Sequence, residues 1–525
     1  MTAGAPLPAV RGRHAAAATA DGLATQAAMW TFARGGNAVD AALAANAAMA
    51  VVAPHLCGIG GDLFAIVRTP SGDILGLDAS GSAGSGSDAD AMRAEGLTRM
   101  PLRHDVRSVT VPGCVDGWML LHERLGSLPF GEIVVPAIRL AAAGAPASPL
   151  LCASLATLDQ AAAPRFVELA EQASRPGATV RRPGVALTLQ AIVRGGRDAF
   201  YGGAFGEGLL ELGEGVFDPA DLDEPHARWV PVLTEQVFGH ELHTVGPPSQ
   251  GYLALAIAGL LQRLGLPRSP DDVERAHLFV EAVKAASFDR PDVLHDGADG
   301  ADLVARAVRR ADTIDRERAA TLATASHTGD TTYLCTADDR GWAVSLIQSN
   351  ASGFGSWLVE PTTGINLHNR GLGFSLAPGH PAELAPGRRP PHTLVPALAT
   401  RDGAVRAVLG SAGGDAQPAI VAQLAARLLV DHATAAQAVA APRVVLRGPE
   451  TGFDTWHGGV PPTVVIEDHA PPGWPAMLRE RGHPVHTAPA FGPMFGHAHC
   501  VTVSDDGLFE AAADPRTVVG TAAAL

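Results

Sequence analysis

The residues best spaced for chemistry lie in Ser326-His-Thr-Gly-Asp-Thr-Thr-Tyr-Leu-Cys-Thr-Ala-Asp-Asp-Arg-Gly-Trp-Ala-Val-Ser-Leu-Ile-Gln-Ser349. Thr331 to Thr336 is rich in β-branched and aromatic residues, and Asp338-Asp339-Arg340-Gly341 carries turn chemistry. Trp342 to Ser349 then reads as the returning strand. With the turn centred on Arg340, Thr331 falls opposite Ser349. Opposed antiparallel residues hold their Cβ atoms about 4.5–5.5 Å apart, within reach of a hydroxyl–hydroxyl hydrogen bond. Gly329-Asp330 is a turn signal, so the peptide bond entering Thr331 is accessible. An ordinary hairpin with a Thr–Ser pair would carry the same pattern.

Other groups are weaker candidates. Gly410-Ser-Ala-Gly-Gly414 offers Gly413 and Gly414, whose backbone N–H groups can approach a substrate closely; a plain structural turn is the alternative. His497 and His499 could suggest a metal, but strand-alternating histidines without an HExxH pattern suit a structural role. His327 reads as a solvated loop histidine rather than a processing base, and no GxSxG elbow marks a nucleophilic serine.

Gly329-Asp-Thr-Thr-Tyr-Leu, Asp339-Arg-Gly-Trp-Ala-Val-Ser345 and Gly353-Phe-Gly-Ser resemble the processing site of the gamma-glutamyltranspeptidase family. Gly35-Gly-Asn-Ala-Val-Asp-Ala-Ala and Gly58-Ile-Gly-Gly-Asp-Leu-Phe resemble the opening of that family's large subunit, and Asp514-Pro-Arg-Thr fits its ending. The resemblance runs from about Gly22 to Val518. It implies an N-terminal-nucleophile (Ntn) hydrolase of the α+β class, a four-layer αββα sandwich. It also implies self-cleavage between Asp330 and Thr331, giving a large subunit (1–330) and a small catalytic subunit (331–525) that stay paired.

A threonine hydroxyl is a poor nucleophile without a base in hydrogen-bond reach. A cut before Thr331 would supply its own α-amine, with an ordinary pKa of about 7.7–8.0. Thr331 Oγ would attack the Asp330 carbonyl during processing and a substrate amide afterwards, giving an acyl-enzyme released by water or by an amine. The resemblance assigns the oxyanion donors to Gly413 and Gly414 and the hydroxyl partner of the nucleophile to Ser349. It fails at the head-group positions. Leu77 to Ala83 contains no arginine, Ala351 stands for an Asn, Gly373 for an acid, Arg370 for its polar neighbour, and His392-Thr393 for paired serines. The substrate is therefore expected to differ. Arg370, with His392 and Thr393, could bind a carboxylate in a fork, or Arg370 could sit in a surface salt bridge. Arg103 or Arg107 could stand in for the missing arginine. The expected reaction is hydrolysis or transfer on a gamma-glutamyl or related carboxylated amide. Alternatives are an oxamate-like or dicarboxylic acyl amide, C–C cleavage next to a carbonyl, or a non-catalytic, unprocessed binding relative.

Several elements must position these residues. Gly22 to Arg34 reads as a helix ending at Gly35-Gly36, and Asn37 caps an Ala-rich helix to Val52. The glycines from Gly58 form a structural turn into a strand, since no GK[ST] follows. Asp73 to Ala79 reads as a strand, and helices follow at Cys114–Leu125, Leu128–Ala143, Gln250–Leu261, Arg275–Phe288 and Ala301–Asp312. Leu394–Thr400 and Ala404–Gly410 read as paired strands before a helix at Ala419–Leu429, with further strands near 442–447, 463–466 and 500–503. Helices concentrated before residue 331 and strands after it are expected to form one layered body.

The bulk numbers exclude other classes. At 525 residues, 47% hydrophobic and 18% charged, the chain can bury a large core. A net charge of −15 argues against a nucleic-acid partner. Five cysteines without a CxxC pair indicate neither a disulfide framework nor a zinc site, and nothing calls for a cofactor. With no export signal or membrane-length apolar run, a cytoplasmic protein is expected, its substrate a small amide and its only further partner a second copy.

Overall fold

The structure is a computed structural model that describes residues 8–320, 331–447 and 462–525. Its body mixes helix and sheet, with two seven-stranded sheets at the centre. The first runs, in order, Thr521–Ala524, Ala15–Thr19, Thr331–Asp338, Ala343–Ser349, Asp62–Arg68, Ile74–Ala79 and Arg228–Val230. The second runs Val10–Gly12, Phe509–Ala512, Ala498–Val503, Ala404–Ser411, Ala397–Arg401, His240–Val245 and Val232–Val237. Every neighbouring pair within these two sheets is antiparallel.

Alternation along the strands sets the packing. Phe64, Ile66, Tyr333, Cys335 and Ile347 of the first sheet meet Leu398, Val408, Val501 and Phe509 of the second in one buried cluster. The opposite side chains of the first sheet, such as Leu63, Leu334 and Leu346, pack with the helices Gly22–Ala33, Ala38–Val52 and Cys114–Leu125. Those of the second, such as Ala399, Leu409 and Cys500, pack with Gly251–Leu264, Val273–Ser287 and Gln417–Leu429.

Strands are not confined to the part after residue 331, as the sequence reading expected; each sheet interleaves strands from both sides of it. The run at Ala15–Thr19 shows why. Alanine favours helix, so nothing local signals a strand. Yet the slot between Thr331–Asp338 and Thr521–Ala524 admits only small side chains, and Ala16, Ala17 and Ala18 are fully buried there. The expected helix at 128–143 is two pieces, Phe130–Ile133 and Val135–Ala143, broken just before Pro136.

The wholly buried helix Ala38–Val52 fixes the 331–349 hairpin. Asn37 and Asp40 form a capping box at its start, where Asp338 accepts the Ala38 N–H at 2.9 Å and Thr336 Oγ1 donates to the Ala38 carbonyl at 2.7 Å. Further along, Asn46 Nδ2 donates to Gln348 Oε1 at 3.0 Å. Gln348 Nε2 in turn donates to the Gly58 carbonyl at 2.9 Å, fastening the glycine turn to the strand that carries Ser349.

Candidate active site

Thr331 opens its strand and lies opposite Ser349, the register the turn residues imply. Their hydroxyl oxygens are 3.0 Å apart and both side chains are buried. Ser349 Oγ also accepts the Ala351 N–H at 2.8 Å, from a backbone held at φ +72°. Asp330 and His327 lie outside the described residues.

The same row continues one strand further. Ser349 pairs on its other side with Asp62, the first residue of Asp62–Arg68. Asp62 is fully buried, and Arg370 Nε donates to its Oδ2 at 2.6 Å. His392 Nε2 lies 3.0 Å and His368 Nδ1 3.3 Å from the same oxygen. Burial alone would raise the Asp62 pKa; the Arg370 charge, with His392 and His368, outweighs it and holds the carboxyl well below its ordinary range. Burial, helped by Arg370, lowers His392 to about 4, so its ring is neutral near pH 7, with Nε2–H toward Asp62 and Nδ1 accepting the Leu394 N–H at 3.4 Å. Arg370 Nη1 donates to Thr393 Oγ1 at 3.0 Å. Arg370, His392 and Thr393 thus do come together, but around Asp62. At 1% exposure Arg370 is not a surface salt bridge.

The second sheet brings up the glycine loop. Gly410 lies against the Tyr333 ring, where a Cβ would stand 2.3 Å from Cε2, so this strand crosses the Thr331 strand two residues from its start. Just beyond it Gly413 has φ +138° and Gly414 φ +55°, a backbone that favours glycine. Gln250, at the start of Gly251–Leu264, ties this loop to the Asp62 cluster: its Nε2 donates to the Gly414 carbonyl at 3.1 Å and the Thr393 carbonyl at 2.9 Å.

Thr393 also lines a cavity of about 720 Å³, with Gly373, Met100, Phe374, Arg99 and Arg290. The arginine-free segment 77–83 is reached by Arg389, whose Nη1 donates to Ser80 Oγ at 3.1 Å and stands 3.5 Å from Asp78. Arg103 is engaged elsewhere, over the Trp357 ring and with the Gly355 carbonyl, and Arg107 pairs with Asp105 and Glu95.

His497 and His499 are buried, and burial takes them to about 4 and about 3, against the opposing pull of Asp514. His499 stacks on Tyr333. Among the described residues a possible metal set exists at His277, Glu281 and His483. There Lys284 Nζ sits 2.9 Å from Glu281 and 3.1 Å from His483, so an ammonium already serves as the cation.

Asp62, Gln250 and Arg290 were missed by sequence reasoning. Asp62 had a signal, a charged residue opening an otherwise apolar strand. Gln250 and Arg290 had none, since only distant contacts bring them in.

The gamma-glutamyltranspeptidase family model matches residues 24–524. The chain is 36% identical to the oxamate amidohydrolase proenzyme of Klebsiella pneumoniae, over 96% of this chain and 97% of that one. It is 30% identical to the glutathione hydrolase-like YwrD proenzyme of Bacillus subtilis, covering 94% and 95% of the two. The crystal structure of cephalosporin acylase from Bacillus halodurans superposes with a TM-score of 0.90 at 30% identity, covering 100% of this chain and 98% of that one. Among the described residues no helix is long and apolar enough to cross a membrane.

Proposed function

The chain belongs to the gamma-glutamyltranspeptidase family, and from that premise we propose that it is a proenzyme that cuts itself between Asp330 and Thr331 and then hydrolyses a carboxylated amide through an acyl-threonine. The observation that carries this reading is the 3.0 Å contact between Thr331 and Ser349 at the very start of a buried strand. On this reading, 1–330 and 331–525 are the two subunits of one four-layer αββα body. The Thr331 α-amine is the base, Ser349 orients the nucleophile, and the Gly413 and Gly414 N–H groups receive the oxyanion. Arg370, His392 and Thr393 form the polar floor of the acyl pocket, with Asp62 balancing the arginine.

The substrate is an amide of the acylase or oxamate type rather than a gamma-glutamyl compound. Relatives named for oxamate and cephalosporin chemistry support this. A gamma-glutamyl amide is the second reading, supported by Arg389 beside Ser80 where the family's arginine is missing. Intact mass of the purified protein beside Thr331→Ala tests the mechanism. Two fragments for the wild type, the smaller beginning at Thr331, and one full-length variant are expected; a full-length wild type would sink it.

A further inference from the structure

We propose that the buried Glu281–Lys284 pair, with His483, is a positioning set for self-cleavage: it grips the chain shortly before the scissile bond and sets the rate of the cut without entering the reaction. This rests on the self-cleaving reading above. His277, Glu281 and Lys284 lie at i, i+4 and i+7 on the helix Val273–Ser287, along one stripe of its surface. All three are buried, Glu281 and Lys284 at 2% exposure, in a helix whose other buried positions include Leu278, Val280 and Val283. A buried ion pair often stabilises no better than apolar residues of the same volume, so folding alone does not account for it.

What the pair holds is backbone. Lys284 Nζ donates to Glu281 Oε1 at 2.9 Å, to the Ala320 carbonyl at 3.2 Å and to His483 Nδ1 at 3.1 Å, which engages its three N–H bonds. Glu281 Oε2 accepts the Ala320 N–H at 3.1 Å, so the two charges grip both backbone groups of one residue. With Nδ1 of His483 accepting, its Nε2–H donates to His277 Nδ1 at 2.9 Å, and His277 Nε2–H donates to the Asp315 carbonyl at 2.8 Å. Burial, then the Lys284 charge, lowers His483 to about 3, so this ring is neutral near pH 7. The Ala319 N–H donates to the Arg481 carbonyl at 2.8 Å. Residues 315–320 are therefore tied to a buried cluster at both ends, although 315–318 and Ala320 are themselves exposed. Ala320 stands ten residues before Asp330, whereas Arg481 and His483 come from beyond the cut. The grip thus fastens the run into the scissile bond to the fragment that carries Thr331.

Pulse-labelled cell-free synthesis of the full chain, chased and resolved on a denaturing gel, reads the rate of the cut. Ala320→Pro removes the N–H that Glu281 accepts and leaves the charged side chains in place. It is expected to slow the cut about ten- to a hundredfold, as misplacing reacting groups does. Ala320→Ser keeps the N–H and should be cut like the wild type. Neither should move the urea midpoint, measured in the Thr331→Ala background. Slack alone would do less. Releasing the chain back to Ile314, itself bonded to the Ala311 carbonyl, lengthens the run to Thr331 from eleven residues to seventeen and lowers its effective concentration only about twofold. Glu281→Gln should slow the cut as Ala320→Pro does, and the two together by less than the product, since they act through one contact. Should Glu281→Gln not fold, the Ala320 variants decide. Cutting of Ala320→Pro within twofold of the wild type, an equal loss in Ala320→Ser, fully multiplicative effects, or slowing that follows a lowered urea midpoint would overturn the proposal. A wild type that is cut while Ala320→Pro is cut as fast overturns the positioning alone. A wild type that stays full length overturns the self-cleaving reading, and this proposal with it.

Discussion

Replacing Asp62 by Asn should be among the most damaging near-isosteric changes in this protein. The side chain is fully buried, receives Arg370 Nε at 2.6 Å and lies 3.0 Å from His392 Nε2, with Arg370 itself 1% exposed. Asparagine keeps the shape but removes the counter-charge of a buried guanidinium. Breaking a buried pair from one side costs about 3–5 kcal/mol. Removing both charges together, in Asp62→Asn with Arg370→Met, should cost less than the two single changes added, with a coupling of about 0.5–3 kcal/mol. Urea unfolding followed by tryptophan fluorescence measures this, in a Thr331→Ala background that keeps every sample full length. The reasoning is refuted if Asp62→Asn costs under about 1 kcal/mol, or if the double variant loses the full sum. Either result would mean that the cluster is solvated or loosely held, and that Arg370 is available to a substrate carboxylate after all.

Ser349→Ala removes the hydroxyl 3.0 Å from Thr331 and should slow both processing and turnover about ten- to a hundredfold, with Ser349→Thr restoring most of each; timed intact-mass sampling reads the first. Gly413→Ala forces a side chain onto φ +138° and sets a Cβ 3.0 Å from Ile420 Cδ1. Displacing an oxyanion donor should lower kcat about 10²–10³-fold, while the strain costs only about 1–3 kcal/mol, so an unfolded Gly413→Ala protein or an unaltered kcat would count against the assignment. Acid should destabilise the protein well above the carboxylate range. Burial lowers His55 and His499 to about 3 and His392 and His497 to about 4, against an unfolded value of about 6.5. Below pH 6.5 the unfolded chain takes up protons that the folded rings refuse. This contribution is therefore complete above about pH 6.5 and is lost as pH falls toward the folded values, by up to about 1.4 kcal/mol per pH unit for each ring. Urea midpoints between pH 7.5 and 5 check it, and a flat profile would refute it.

What could be read from the sequence follows the range of the interactions. The hairpin was legible because its turn, Asp338 to Gly341, is local and fixes the register over the whole pair, down to Thr331 and Ser349. The Ala-rich helix was legible from Asn37, a cap that needs no distant partner; the Asp40 side chain that completes the capping box was not read from the sequence. Asp62 was hidden because its meaning lies in Arg370, His392 and His368, which are remote in sequence; locally it closes a glycine turn. The Ala15–Thr19 strand was hidden for the opposite reason, since its residues favour helix and only the narrow slot in the sheet makes them a strand. Arg370, His392 and Thr393 were legible as a group because they occupy matching family positions. What they surround was not.

The interleaving of the sheets bears directly on how such a site could be built by a cut. The strands Thr331–Asp338 and Ala343–Ser349 are flanked by Ala15–Thr19 and Asp62–Arg68, so the hairpin is bonded on both edges to the segment before residue 331. The contacts that define the site cross the same divide: Ser349 to Asp62 by register, Arg370 to Asp62 by ion pair, Gly414 and Thr393 to Gln250 by hydrogen bond, Asp415 to Arg290 by charge. None of them requires the chain to be continuous between Asp330 and Thr331. Breaking that bond would cost the fold little and would add what the arrangement lacks, an amine on the same residue as the hydroxyl. Two fragments made this way would stay together for the reason the chain folds at all, because neither sheet can be completed by one of them.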